Sequence, residues 1–148
     1  MNELRDRILE STVDEVGIET DDHVWGVVWE FGLAQGAATV VSLSGGAASL
    51  YLSGGGGILG GEAHESVRQA VATFLEEANR TVEHSAPTEI LPLPVKDQVR
   101  FYWLTKQGLA MAEDTPPALL EKDHPLHPLF IGANEVLAEL RRVTTSGE

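Results

Sequence analysis

At 148 residues and 43% hydrophobic content the chain carries enough apolar material for one domain with its own core, and a domain of this length buries ~70% of its unfolded surface. The absence of cysteine excludes disulfides, thiol catalysis and Cys-ligated metal, and it fits a reducing cytosol. With 23 acidic against 10 basic residues and a net charge of −13, the chain repels nucleic acid and anionic membrane and better suits a basic or apolar protein partner.

The first residues, Met1 to Arg7, have no apolar stretch after their charges, so no signal peptide is expected. No run approaches the ~18 apolar residues of a membrane span. Residues 3–16 read as one helix, with Leu4, Ile8, Leu9, Thr12, Val13 and Val16 on a stripe and Gly17 as the stop. From Val24 the period changes to two, and Trp25, Val27, Trp29, Phe31 and Leu33 are expected on one face of a strand. Ala34-Gln35-Gly36 and Ser44-Gly45-Gly46 then turn the chain into two further strands, about 37–43 and 47–53, making an antiparallel meander.

Ser53-Gly54-Gly55-Gly56-Gly57-Ile58-Leu59-Gly60-Gly61 follows, leading into a helix expected from about Glu62 to Arg80. Val67, Ala70, Val71, Phe74, Leu75 and Ala78 mark that helix's buried face. Residues 85–94, with Pro87, Pro92 and Pro94, read as an extended connector. Two more strands, 99–105 and 109–113, flank a turn at Lys106-Gln107-Gly108. Pro116-Pro117 opens a short helical turn through Lys122, and the last helix follows Pro128. Residues 144–148 read as a frayed tail after a single domain of residues 1–143. The fold class is thus α+β in the order α-βββ-α-ββ-α, a mainly antiparallel five-stranded sheet with helices packed on one face.

The glycine run satisfies G-x-G-x-x-G at Gly55-Gly56-Gly57-Ile58-Leu59-Gly60, but it follows a meander and lacks the acid ending a second strand that holds a ribose. The P-loop pattern fails as well, because Glu62 and Ala63 replace Lys and Ser/Thr, and Glu62 and Glu65 oppose a phosphate at the helix start. The run reads as a conformational device. Ile58 and Leu59 either anchor it into the core or form an apolar tip for a partner, with the anchor favoured. His64-Glu65-Ser66-Val67-Arg68 breaks the zincin pattern at Arg68, and His124-Pro125-Leu126-His127 specifies no third metal ligand, so surface or capping histidines are expected. Each proline there also biases His124 and His127 away from α geometry. Trp25, Trp29, Phe31, Phe101 and Trp103 read as core. Arg100 and Tyr102, with Glu30, form a polar patch on the opposite face if their strands neighbour one another.

The element order, length and acidity resemble those of the small acidic chaperones of type III secretion. The glycine-rich loop and the proline-rich connector depart from that pattern, and no functional residues carry over. The resemblance implies a cytosolic homodimer that binds an extended segment of another protein along apolar patches; profilin-like and roadblock-like folds are alternatives with a different strand order. The expected function is therefore a non-catalytic protein-binding or scaffold module of the cytoplasm, with no cofactor and no metal, that self-associates and binds another protein. The alternative is a small-ligand binder or enzyme at the glycine loop, with His64 as acid/base and Arg68 or Arg100 as anion anchor. The candidate residues for a ligand or partner are Gly56, Gly57, Ile58, Leu59, His64, Arg68, Arg100 and Tyr102.

Overall fold

The strands of the computed structural model, which describes residues 2–58 and 64–145, build one sheet in the order β4-β3-β2-β1-β6-β7-β5. The five expected strands are β1 (Val24–Gly32), β2 (Ala37–Leu43), β3 (Ala48–Leu52), β6 (Val99–Thr105) and β7 (Gly108–Asp114). Two-residue strands β4 (Gly57–Ile58) and β5 (Ala86–Pro87) are added at its two edges. All strand pairs are antiparallel.

Cross-strand register decides which side chains share a layer, because directly opposite residues point to the same face. Val27, Trp29 and Phe31 of β1 stand opposite Trp103, Phe101 and Val99 of β6. Helices α3 (Glu65–Thr81) and α5 (His127–Thr145) cover this front face, burying Val67, Val71 and Phe74 from one and Leu129, Val136 and Leu140 from the other. The short helix α4 (Pro116–Leu119) adds the buried Leu119.

The expectation that helices occupy one face is corrected here. The back face carries Trp25, Val28, Val41, Tyr102 and Leu104, a second apolar layer that also needs a cover. That cover is α1 (Asn2–Glu10), which buries Leu9, α2 (Val13–Val16), and the connector with Ile90. The connector approaches closely at Gly32, where an added Cβ would stand 1.7 Å from the Val95 carbonyl oxygen.

The single N-terminal helix is also corrected, to two pieces. Thr12 caps α2 with a capping box: its Oγ1 accepts from the Glu15 N–H at 3.2 Å, and the Glu15 carboxylate accepts from the Thr12 N–H at 2.9 Å. A backbone committed to an N-cap leaves helical geometry, so the helix breaks there; Gly17 stops α2 at φ 80 as the sequence suggests.

Trp25 does not share a face with Trp29. The register shifts between Val24 and Gly26, a bulge whose extra residue breaks the alternation and puts Trp25 on the back face. Gly26 makes the room, since a Cβ there would lie 2.7 Å from Leu43 Cδ2. Strand β1 ends at Gly32, leaving Leu33 exposed in the following turn.

The glycine run does not lead directly into the helix. Residues 53–56 form the turn of a β3–β4 hairpin, in which Leu52 N–H donates to the Gly56 carbonyl at 3.1 Å. Helix α3 is described from Glu65, and the expected start at Glu62 falls outside the described residues. Helix α5 begins at His127, one residue before Pro128, and runs through Thr145. The last three residues of the expected tail lie outside the described residues.

Candidate functional site

A polar row crosses the otherwise apolar back face. Tyr51, Thr39, Glu30, Arg100 and Glu113 stand opposite one another in sequence across β3, β2, β1, β6 and β7. Glu30 is completely buried, and Arg5 from α1 reaches it with Nε at 2.5 Å from Oε2 and Nη2 at 3.0 Å from Oε1. This two-point geometry is the one in which guanidinium and carboxylate pair best. Thr39 Oγ1 donates to Oε2 at 2.7 Å, and Arg100 lies 3.8 Å from Oε1 while its Nε donates to Glu113 at 2.7 Å.

Tyr102 gathers the cluster. Its hydroxyl oxygen accepts from the Leu91 N–H at 3.1 Å and from Arg5 at 3.3 Å, and both guanidiniums sit 5.9 Å from its ring centroid. Arg5 also donates to the Leu91 carbonyl, and Arg100 to that of Pro92. Burial alone would pull the Arg5 guanidinium down. The hydrogen bond and charge of Glu30 outweigh it and hold the group above its ordinary value. The cluster pins α1 and the connector to the sheet; Arg5, Glu30 and Arg100 are buried, while Glu113 at the end of the row is exposed.

The candidate residues therefore fall in separate places. Arg100 and Tyr102 belong to this back-face cluster. His64 and Arg68 are one helical turn apart on the front-face helix, with the whole sheet between them and the cluster. His64 occupies the N-cap position of α3 without a side-chain capping bond. Arg68 packs its stem against Gly46 and lines a crevice of about 370 Å³ with Asp22, Ser44 and Leu75. Gly56 and Gly57 are exposed in the hairpin. The Ile58 backbone pairs with Leu50, while its side chain and all of Leu59 lie outside the described residues. Glu30 was legible as a lone acid in an apolar strand. Arg5 was not, because contact between α1 and the sheet leaves no local signature.

The two histidines of the His124–His127 stretch act as capping groups. Leu126 N–H donates to His124 Nδ1 at 3.0 Å, which leaves Nε2–H to donate to Asp114 Oδ2 at 2.8 Å. His127 Nδ1 pairs with the Leu119 carbonyl at 2.9 Å. The hydrogen bond from His124, then that from the Thr115 N–H, hold the Asp114 carboxyl below the usual carboxylate range. A folded-state pKa below the unfolded one contributes stability that is complete above the unfolded value and lost as pH falls through the folded one. Asp114→Asn is thus expected to lower the urea midpoint at neutral pH, and the difference from the parent chain fades as pH falls through the lowered Asp114 carboxyl.

The front face ends in an apolar cleft of about 160 Å³, lined by Trp29, Phe31, Val99, Pro116, Phe130 and Leu137 with Asn134 at its edge. Trp29 packs edge-on against Phe130, with ring centroids 6.4 Å apart. Its buried indole N–H has no acceptor among the described residues. Register places Val99, Phe31, Ala38 and Leu52 in one cross-strand row, of which Val99 and Ala38 are buried and Leu52 is 36% exposed. Among the described residues, no group of three or more His, Asp or Glu converges as a metal site, and no helix is long and apolar enough to cross a membrane.

The architecture defines an α+β protein with an antiparallel sheet layered between helices on both faces. Comparison with protein families, curated proteins and solved structures finds no match for this chain.

Proposed function

We propose that this chain is a non-catalytic, chaperone-like protein-binding module of the cytoplasm that works as a homodimer and holds an extended segment of another protein. The observation that supports it is the apolar cleft of Trp29, Phe31, Phe130 and Leu137, in which Phe31 and Leu137 are only half-buried. The exposed Leu33 lies beyond Phe31, extending the apolar surface at that end of β1. A net charge of −13 selects segments whose apolar anchors are flanked by Lys or Arg.

Selection from a random displayed peptide library tests this reading. Enriched sequences are expected to alternate apolar and basic residues, and Leu137→Glu in the cleft abolishes their binding while Val95→Glu, at an exposed site on the connector, leaves it intact. Failure to enrich any sequence, or binding indifferent to Leu137→Glu, would overturn the proposal. Sedimentation equilibrium supplies the mass of the free module, and a strict monomer would remove the dimer from it.

A further inference from the structure

We propose that α1 and the proline-rich connector form one hinged cover, latched by Arg5, that opens from the back face as a unit while the front-face layer stays folded. The two halves lie far apart in sequence and share one set of partners. Arg5 of α1 pairs with Glu30 and also donates to the Leu91 carbonyl at 2.6 Å. The Tyr102 hydroxyl accepts from that same arginine at 3.3 Å and from the Leu91 N–H at 3.1 Å. Neither half lifts without breaking bonds that hold the other.

Each half is tied down through side chains. Among the described residues, no backbone–backbone hydrogen bond joins α1 to the sheet. Of residues 5–10 only Arg5 and Leu9 are buried, whereas α3 buries seven residues. A nine-residue helix is too short to persist unsupported, so α1 holds its shape only while docked. The connector is held in the same way. The hydrogen bonds that tie residues 90–93 to the fold run to Tyr102, Arg5 and Arg100, and none of these four connector residues is buried. Pro92 and Pro94 lack the N–H that a strand ladder needs.

Fixed points beside both halves supply the hinges. The α1 helix ends against the capped start of α2. The connector is anchored at one end by the Thr88 N–H on the Leu109 carbonyl, and at the other by the Gly32 N–H on the Gln98 carbonyl, each at 3.0 Å. A hollow of about 470 Å³ lies between the α1–α2 junction and the β6–β7 hairpin, lined by Leu9, Thr12, Val13 and Leu104, so the hinge end of α1 is loosely packed. The front core draws none of its apolar side chains from α1 or from residues 88–94. Lifting the cover admits water to Glu30 and both guanidiniums, so no charge is left buried and orphaned. It uncovers Val28, Val41 and Tyr102 and leaves the Trp29–Phe130 cleft in place.

The chain has no cysteine, so single introduced thiols report the opening. Val28→Cys lies under the cover and Val40→Cys in the front core, and both valines are fully buried. Labelling with dithionitrobenzoate, corrected for each variant's own urea stability, is expected to run about tenfold faster at Val28→Cys and to vary little with sub-denaturing urea. Arg5→Lys keeps the charge and loses the two-point pairing. It is expected to speed both Val28→Cys labelling and hydrogen exchange of the Leu91 amide by about tenfold. Equal corrected rates at the two thiols would overturn the separate opening. A Leu91 amide indifferent to Arg5→Lys would show that α1 and the connector do not move as one.

Discussion

Glu30→Ala is expected to destabilise the fold by about 3–5 kcal/mol, because it takes the buried carboxylate from Arg5 and leaves that buried cation only the partly exposed Asp6 as an ion partner. The substitution removes an acceptor that serves two Arg5 nitrogens and the Thr39 hydroxyl at once. Arg100 keeps its bond to Glu113, so the loss falls on the α1 side of the cluster. Replacing both partners is the informative control. Arg5→Met/Glu30→Leu fills the same space with apolar atoms and leaves no orphan charge, so its cost lies well below the sum of the single costs. Urea denaturation of the four-member cycle measures this, with a coupling of about 2 kcal/mol or more expected. A loss below about 1 kcal/mol for Glu30→Ala would mean that water reaches the carboxylate and that α1 does not seal it.

Trp103→Ala is expected to cost about 3–5 kcal/mol through the cavity it opens. Trp103 is fully buried on the front face, 6.0 Å from the Phe101 ring, and its N–H ties β6 to the Ala78 carbonyl of α3. Trp103→Phe keeps most of the apolar contact and forfeits the hydrogen bond, so about 1–2 kcal/mol is expected there. A domain of this kind holds about 5–15 kcal/mol in all. The alanine variant therefore forfeits a large share of that stability, and chemical denaturation monitored by circular dichroism distinguishes the two. Equal costs for Phe and Ala would show that the indole bond, and not the packing, holds α3 to the sheet.

Elements with strong periodicity were legible before any tertiary contact. The apolar spacing of Val67, Val71, Phe74 and Ala78 marks α3, and the glycine turns delimit β2 and β3. These signals are local, since each strand or helix must repeat its own period to bury one face. The break at Thr12 is also written locally, in the Thr-Val-Asp-Glu spacing of a capping box, which overrides the longer apolar stripe. The polar patch was half legible. Glu30, Arg100 and Tyr102 announce themselves as polar positions in apolar strands, and pairing of β1 with β6 joins Glu30 to Arg100 in register.

What local chemistry could not set was which residues meet across distance. The bulge at Trp25 depends on how β1 pairs with β6, because Val24 faces Thr105 while Gly26 faces Leu104. Arg5 finds Glu30 because the back face is apolar enough to require a cover and α1 supplies it. Composition and periodicity dictate the elements, their order and an acidic surface, since these follow from each segment's own side chains. Partition of the aromatic residues between two cores, separation of His64 and Arg68 from Arg100 and Tyr102, and closure of the charge cluster arise from register and packing. Those are decided by contacts between segments far apart in the chain, where the free energy of burying both faces of one sheet outweighs any local preference.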